Sequence, residues 1–195
     1  MASLRSKKAS ETREAILDAA RKRFTDEGFE ASLSSIVNEA GITKGALFHH
    51  FENKQALYLA VWRDLQTEMD LETQRVALES RSPEDPYKAI LAGCRCYLEW
   101  AMRPDYQRIV LVEGRGALGM AEWMVADREF GQRKVWGAIE YLVKRGKVAP
   151  ERAVPMSVIL QGALHGSGVA LSRKVPGVTV HSLYEALERL LRQMN

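Results

Sequence analysis

Residues 32–51 constrain this chain most, because they place two short amphipathic helices on either side of only three residues, Gly41, Ile42 and Thr43. Each predicted helix carries its apolar residues at helical spacing, so each presents one face to a core. The apolar positions are Leu33, Ile36, Val37 and Ala40 in the first helix and Leu47, Phe48 and Phe51 in the second. Two helices joined so closely must turn sharply, which is the helix-turn-helix arrangement.

The rest of the chain also follows helical periodicity. Thr12 is a plausible cap for a helix over residues 12–27 that Gly28 stops, and a long helix runs from Asn53 towards Ser80. Further helices are predicted over residues 87–102, 106–112, 120–145, 151–172 and 180–193. We therefore expect an all-α fold of about nine helices. A three-helix domain over residues 1–53 would precede a larger helical domain over residues 54–195.

Composition excludes several classes of protein. The only two cysteines, Cys94 and Cys96, lie two apart on a predicted helix, and the chain has only four histidines, so we expect no disulfide framework, no metal site and no cofactor. No run in the sequence approaches the roughly 20 apolar residues of a membrane span, and the start of the chain is polar and basic. These features predict a cytoplasmic protein without a membrane segment.

Charge and small side chains gather at the turn. The whole chain carries only +3, but its first 23 residues hold seven basic and three acidic side chains, which favours DNA as a partner. Thr43 can cap the second helix and face a phosphate, Lys44 adds charge, and Gly45 permits close approach to base edges. The predicted DNA contacts are Ser32, Ser34, Thr43, Lys44, Gly45, His49 and Lys54.

Residues 42–58, ITKGALFHHFENKQALY, resemble the signature of TetR-family transcriptional regulators, and the resemblance extends over about residues 12–62. Residues 113–123, EGRGALGMAEW, resemble the regulatory domain of one subgroup. The resemblance implies a homodimer whose paired recognition helices read a palindromic operator on double-stranded DNA. It also implies that Phe48, at a position usually held by tyrosine, contributes packing or stacking there. We expect a repressor released by a small lipophilic effector of unknown identity.

One motif favours a different function. GRGALG, from Gly114 to Gly119, satisfies G-x-G-x-x-G, follows an apolar run over residues 109–112 and precedes Glu140. A dinucleotide-binding enzyme would need a parallel sheet, and the chain has no second convincing strand. We therefore interpret the motif as a turn joining two helices and expect no enzyme. A helical protein-interaction module that does not bind DNA is the other alternative.

The middle helices are rich in aromatic residues and methionine, which line lipophilic cavities as well as cores. A few polar side chains nearby could orient a ligand. The predicted ligand-binding residues are Tyr97, Trp100, Met120, Trp123, Trp136, Gln161 and His165.

Small and apolar residues form stripes on the last two predicted helices. Gly162, Gly166 and Ala170 recur every four residues, and the final helix carries Leu183, Leu187, Leu190 and Met194 on one face. Both stripes suit a four-helix dimer interface to which each subunit contributes two helices. The alternative is that both stripes are buried within one subunit.

Overall fold

The structure, a computed structural model, describes residues 4–193, and these residues form helices and connecting turns without a β-strand. This confirms the predicted all-α fold. There are ten α-helices: α1 (Leu4–Glu27), α2 (Leu33–Glu39), α3 (Lys44–His50), α4 (Lys54–Glu79), α5 (Tyr87–Trp100), α6 (Gly114–Leu118), α7 (Met120–Asp127), α8 (Arg133–Lys144), α9 (Ala153–Ser172) and α10 (Val180–Gln193). Met194 lies outside the described residues.

Helix α1 begins earlier than its sequence pattern predicts. Thr12 lies inside the helix, and its hydroxyl donates to the carbonyl oxygen of Lys8 at 2.9 Å. Thr12 is therefore not a cap, because its hydroxyl bonds back to the preceding turn instead of to an exposed amide. The predicted stop is correct, since Gly28 has φ +71° and starts a short 3-10 turn, Gly28–Glu30.

The middle of the chain departs most from regular α-helix. The predicted helix over residues 106–112 is a π-helix, Tyr106–Val112. The predicted glycine turn is wrong for residues 114–118, which form α6, and the chain turns at Gly119 with φ +77°. The predicted helix over residues 120–145 is α7 and α8, joined by a second π-helical segment, Arg128–Gln132.

Two apolar cores hold the helices together. The first joins α1, α2 and α3 to α4 and to the π-helix Tyr106–Val112, with Phe24, Leu47 and Tyr58 fully buried. The second joins α5, α8, α9 and α10, with Leu98 and Leu142 fully buried. Helix α4 packs against both α1 and α5, so the first core continues past the predicted boundary between residues 53 and 54.

Helix α9 and the turn before it form the most apolar long segment that a test for membrane-spanning helices would consider among the described residues. The 23 residues of Pro150–Ser172 are long and apolar enough to cross a membrane by length and composition alone, which corrects the expectation that the chain has no such run. Core helices of soluble proteins pass the same test. Here α9 packs against α5, α8 and the π-helix Tyr106–Val112, as a domain helix does.

Candidate functional site

Side-chain caps define the helices around the turn. Ser32 caps α2 by accepting from the amide of Ser35 at 2.9 Å, and Thr43 caps α3 by accepting from the amide of Ala46 at 3.2 Å. Asn53 caps α4 in the same way. Such caps satisfy amides that would otherwise lack partners at a helix start. They also occupy one acceptor position on the Ser32 and Thr43 hydroxyls, whose hydrogens stay free to donate outward.

Helix α3 turns one face into the first core and exposes the other. Leu47 is fully buried, while Lys44, Gly45 and His49 are exposed. Phe48 is 44% exposed, and the Lys44 Nζ lies 5.9 Å from its ring centroid. An aromatic ring left this open is available to a partner or to neighbouring cations.

The other predicted DNA contacts lie at helix starts. Ser32 and Ser34 are exposed at the start of α2. Lys54, the first residue of α4, is partly buried, and its Nζ lies 4.7 Å from the centroid of the Phe29 ring. The structure therefore leaves seven of the eight predicted DNA-contact residues exposed and holds Lys54 against an aromatic ring. Their contact with DNA stays a prediction.

The basic start of the chain offers fewer free charges than its composition predicts. Lys22 and Arg23 of α1 both pair with Glu39 of α2. Arg21 pairs with Glu68 of α4 at 2.6 Å and with Asp105 at 2.9 Å. Three basic side chains therefore hold helices together. Lys7, Lys8 and Arg13, whose guanidinium carbon lies 5.3 Å from the Phe51 ring centroid, remain without an ion pair among the described side chains.

A cavity of about 700 Å³ lies between α4, α5, α7, α8, α9 and the two π-helical segments. Four of the predicted ligand-binding residues line it: Tyr97, Trp123, Gln161 and His165. The Trp123 and His165 rings meet at 6.1 Å between centroids, and Gln161 lies one turn before His165 on α9. The structure therefore brings these four residues to one space.

Three predicted ligand-binding residues lie away from this cavity, which corrects the prediction. Trp100 is buried in the first core, where its indole N–H donates to Glu72 at 2.8 Å. Trp136 lies on the outside of α8 and donates to Glu140 at 2.7 Å. Met120 is exposed at the start of α7. The indole N–H of each tryptophan donates to a carboxylate outside the cavity, so neither ring lines it.

Sequence reasoning missed most of the cavity wall. The missed aromatic lining residues are Trp62, Tyr106, Phe130 and Tyr141, and the missed polar ones include Gln66, Asp70, Asp127 and Lys134. Trp62, Gln66 and Asp70 are spaced by four along α4, so a second stripe beside the Leu57 stripe was the available signal. Asp127 follows Trp123 by four residues on α7, which is a similar signal.

Burial shifts the pKa values of the polar groups in the cavity. Desolvation raises the pKa of Asp127 and that of Asp70, although Lys134 lies 3.1 Å from Asp70 and favours its charged form. Desolvation lowers the pKa of His165, and the nearby Asp127 opposes this shift. His165 is therefore neutral at pH 7, since its ordinary pKa already lies below that value.

Gly114 of the G-x-G-x-x-G motif has a packing role. A Cβ there would lie 3.0 Å from Nε1 of the Trp62 indole and 2.9 Å from the carbonyl oxygen of Ile109. The indole N–H is buried without a hydrogen-bond partner among the described residues. Gly114 thus lets α4 and α6 approach closely. With no strand among residues 4–193, the motif has no sheet on which to build a phosphate cradle.

Three hydrogen bonds join the chain at and after the π-helix Tyr106–Val112 to residues that flank the helix-turn-helix region, residues 32–51. The π-helix Tyr106–Val112 lines the cavity, and the carbonyl oxygen of Ile109 within it accepts from the Tyr58 hydroxyl at 2.9 Å. Glu113, the next residue, accepts from the amide of Phe29 at 2.6 Å. The Gln55 amide, beside Lys54, donates to the carbonyl of Leu118 at 2.7 Å. A shift of this segment would therefore displace residues on both sides of the helix-turn-helix region.

The Glu113 contact depends on a glycine. Gly28 has φ +71°, and a Cβ at this position would collide with the Glu113 carboxylate. Arg108 holds the same carboxylate at 2.5 Å. Gly28 therefore supplies both the left-handed backbone conformation and the space that Glu113 needs to reach the Phe29 amide.

The two predicted interface stripes differ in exposure. On α9, Gly162 and Gly166 are exposed and a Cβ on either would meet no atom within 4 Å, while Ala170 is partly buried. On α10, Leu187 is buried in the second core, and Leu183 packs against that core. Leu190 is partly buried. Within the subunit the leucine stripe packs mainly against α5, and its part in a dimer interface stays a prediction.

The cysteines and acidic groups offer no metal centre among the described residues. Cys94 and Cys96 are buried free thiols, and desolvation raises the pKa of Cys94 to about 12. A thiol with such a pKa is neither a good nucleophile nor a ready metal ligand.

Two family models match this chain. One, described as "Bacterial regulatory proteins, tetR family", matches residues 16–61, and the other, "Tetracyclin repressor-like, C-terminal domain", matches residues 87–194. The first match contains α2, α3 and the turn between them, and the second contains most of the cavity wall.

Solved structures share the fold over nearly the whole chain. A TetR-family transcriptional regulator from Pectobacterium atrosepticum is 32% identical with a TM-score of 0.79, over 96% of this chain and 95% of that one. The fatty acid degradation regulator FadR from Bacillus halodurans has a TM-score of 0.74 at 14% identity, over 93% of this chain and 95% of its own. At that identity FadR shows the fold alone.

Curated relatives match over a shorter stretch. The HTH-type transcriptional regulator AcrR from Shigella flexneri is 29% identical over 112 residues, which are 57% of this chain and 51% of the relative. The repressor AcnR from Corynebacterium glutamicum is 31% identical over 50% of this chain and 54% of its own length. This chain thus spans about half the length of the curated relatives it matches.

The fold, the exposed α3 and these matches define a helix-turn-helix transcriptional regulator. The chain belongs to the TetR family. Proteins of this family bind DNA, act as dimers and are typically repressors. The homologues are regulators and not enzymes, which confirms the corresponding prediction.

Proposed function

We propose that this chain is a cytoplasmic, homodimeric repressor that binds a palindromic operator and releases it when a small lipophilic molecule occupies the cavity. The observation that carries the proposal is the exposed edge of α3, which is fixed from behind by the fully buried Leu47. A rigid helix with an open, basic and glycine-containing start suits the major groove. The cavity and its links to this region supply the regulatory part.

In this proposal α3 is the recognition helix. Lys44, Gly45 and His49 face the groove, Phe48 packs or stacks against the DNA, and the Ser32 and Thr43 hydroxyls donate to phosphates on either side of the turn. Ser34 and Lys54 add phosphate contacts at the starts of α2 and α4. Backbone contacts of this kind set the register, while the exposed face of α3 reads the sequence.

The open side of helix α9 is the feature that supports the proposal of a dimer. Its 20 residues contain no Asp, Glu, Lys or Arg, and only seven of them are buried within the subunit. An apolar side of a helix that no other helix covers is a candidate for contact with a partner. Val154, Val158, Gly162 and Gly166 follow one another at intervals of four along the exposed side. A second copy, related by a two-fold axis, would cover this side and present a second α3 to the other operator half-site.

Release follows from the contacts between the cavity wall and the helix-turn-helix region. A ligand that prefers a different position of the π-helix Tyr106–Val112 would move the Glu113 carboxylate and the Ile109 carbonyl, and with them the Phe29 amide and the Tyr58 hydroxyl. A tenfold preference for one state over the other corresponds to about 1.4 kcal/mol. Couplings of about 1–3 kcal/mol are typical of allosteric proteins.

A gel-shift titration with the DNA upstream of the protein's own coding region tests the proposal. We expect a salt-dependent shift, one dimer per palindrome by light scattering of the complex, and protection of two half-sites one helical turn or a multiple of it apart. A library of unrelated DNA sequences serves as the control. Equal affinity for every DNA, or for none, would contradict the proposal.

A further inference from the structure

The cavity is open to water along two edges. Most residues of its wall are buried or half-buried, and the exposed ones fall into two groups. The first group, Val158 and Gly162, lies on the open side of α9. The second group lies on the second half of α4, just beyond its end, and on α8: Gln74, Leu78, Arg81, Lys134 and Gly137. A second copy seated on α9 in the proposed dimer would cover the first edge, so the second edge is the one that stays open.

Helices α4 and α8 are joined at two points along the second edge. Lys134, near the start of α8, pairs with Asp70 of α4 at 3.1 Å. Arg145, directly after α8, donates to the carbonyl oxygen of Pro83 at 2.7 Å. Residue numbers rise on both segments from the first contact to the second, so the two segments run in the same direction.

Between these two points no polar contact closes the edge. The described side chains of residues 71–82 form no hydrogen bond or ion pair with those of residues 135–144. Helix α8 packs instead on α9 and on the π-helical segment that precedes it. Residues 70–83 and 134–145 therefore border a slit, which we call the α4–α8 slit, and the cavity lies behind it.

Gly137 leaves one rim of this slit without a side chain. It lies inside α8, is exposed and lines the cavity, and a Cβ there would meet no atom within 4 Å. Packing within the subunit therefore does not require a glycine at this position, although glycine weakens a helix interior relative to alanine. Gly93, in another part of the wall, differs, because a Cβ there would lie 3.3 Å from the methyl carbon of Thr73. What the missing side chain provides at residue 137 is open space at the rim.

We propose that molecules enter and leave the cavity through the α4–α8 slit, and that residue 137 sets the width of this entrance. Leu78, on the opposite rim, is 53% exposed and gives the entrance an apolar edge. This inference rests on the proposed function in two respects, the cover of the α9 edge by a second copy and the role of the entering molecule as effector. The slit lies beside the second half of α4, whereas the helix-turn-helix region adjoins its first residues. Exchange by this route requires neither separation of the dimer nor loss of DNA.

A thiol placed inside the cavity measures entry directly. Val110 is buried, lines the cavity and lies on the π-helix Tyr106–Val112, which borders neither side of the slit. In Val110→Cys we expect pyrene maleimide, a bulky apolar thiol reagent, to label the introduced thiol under native conditions. The wild-type chain is the blank, because Cys94 and Cys96 are buried and desolvation raises the pKa of Cys94 to about 12. A Val110→Cys protein that is labelled no faster than wild type would overturn the proposal.

A side chain at residue 137 tests the slit. Gly137→Phe in the Val110→Cys background fills the rim, so we expect the labelling rate to fall roughly tenfold or more. Gly116→Phe is the matched control, because Gly116 is exposed and equally open on α6 and does not line the cavity. Gln74→Trp fills the opposite rim from α4, and we expect it to slow labelling as well. An unchanged rate in a folded Gly137→Phe protein, or equal slowing by Gly116→Phe, would overturn the proposal.

Two controls separate the entrance from folding and from DNA binding. A circular dichroism melt verifies that each variant is folded. If Gly137→Phe does not fold, Gln74→Trp decides alone, and an unchanged labelling rate there would overturn the proposal. The labelling contains no DNA and no effector, and the gel shift described above contains no cysteine variant. A failure of the entrance is therefore distinguishable from a failure of the proposed DNA-binding function.

Discussion

The two halves of α4 lie in different surroundings. Its first half packs against α1 with Leu57 and Tyr58 fully buried, next to the equally buried Leu47 of α3. Its second half borders a cavity of about 700 Å³ whose wall includes the ion pair between Asp70 and Lys134. One end of a single helix is thus set in a close-packed core, and the other can respond to what fills a space. This difference suits a protein in which a fixed reading surface must be displaced as a unit.

The largest expected effect concerns the apolar side of α9. Gly166→Arg should give a monomer that no longer shifts operator DNA, because the dimer would bury an unpaired charge where the subunit alone has open space. Light scattering gives the mass. Gly116→Arg is the control, since Gly116 is equally open but lies on α6. A Gly166→Arg protein that remains dimeric would place the interface elsewhere.

Two truncations, one in the core beside the first half of α4 and one at the cavity beside its second half, test the difference in packing directly. Leu47→Ala should lower the free energy of unfolding by about 2–5 kcal/mol, because it leaves a hole in a filled core. Leu111→Ala should cost less, because Leu111 already borders empty space and is only partly buried. Chemical denaturation of both variants measures the two values. Similar losses would mean that the cavity wall is packed as tightly as the first core.

Sequence reasoning predicted the helix-turn-helix region well because its determinants are local. The caps Ser32 and Thr43 precede their helices directly, and Leu47 lies between exposed positions on one short helix. The cavity depends on contacts between distant segments. Trp100 and Trp123 look alike in the sequence, but Trp100 is held in the first core by Glu72 of α4, which accepts from its indole N–H, and by Arg103, which lies over its ring. The same holds for Arg21, whose partner Asp105 lies 84 residues further along the chain.

For a related reason, the sequence leaves open what covers the leucine stripe of α10. The leucine stripe of α10 suits a partner subunit and suits α5 equally well, since periodicity identifies an apolar face without identifying what covers it. The chain resolves this by packing Leu187 into its own second core. The glycine stripe of α9 is then the apolar surface that stays open.

The hydrogen bond from the Phe29 amide to the Glu113 carboxylate can be removed by substitution. Glu113→Ala removes the acceptor of the Phe29 amide, and hydrogen bonds to charged groups contribute about 1.5–3 kcal/mol. We therefore expect the amide exchange protection of Phe29 to fall roughly tenfold to a hundredfold, as measured by hydrogen exchange. Arg108→Ala is the control, because it removes the ion pair and leaves the Phe29 hydrogen bond in place. Equal deprotection in both variants would show that the ion pair holds the contact.

The smallest expected effect distinguishes a lysine on the exposed face of α3 from a lysine in the wall of the cavity. Lys44 is exposed at the start of α3 with its Nζ near the Phe48 ring, whereas Lys134 is tied to Asp70 in the cavity wall. A lysine that neutralises one phosphate contributes about one unit to the slope of log affinity against log salt concentration. Lys44→Ala should therefore lower that slope by about one unit and leave the thermal melt unchanged, because an exposed side chain contributes little to folding.

Lys134→Ala should leave the slope as it is, and its melt should change instead, since the Asp70 carboxylate loses its partner. Gel shifts at several salt concentrations, with a melt of each variant, measure both quantities. An identical slope for wild type and Lys44→Ala would remove Lys44 from the DNA contact and leave the reading surface to the other exposed residues of α3.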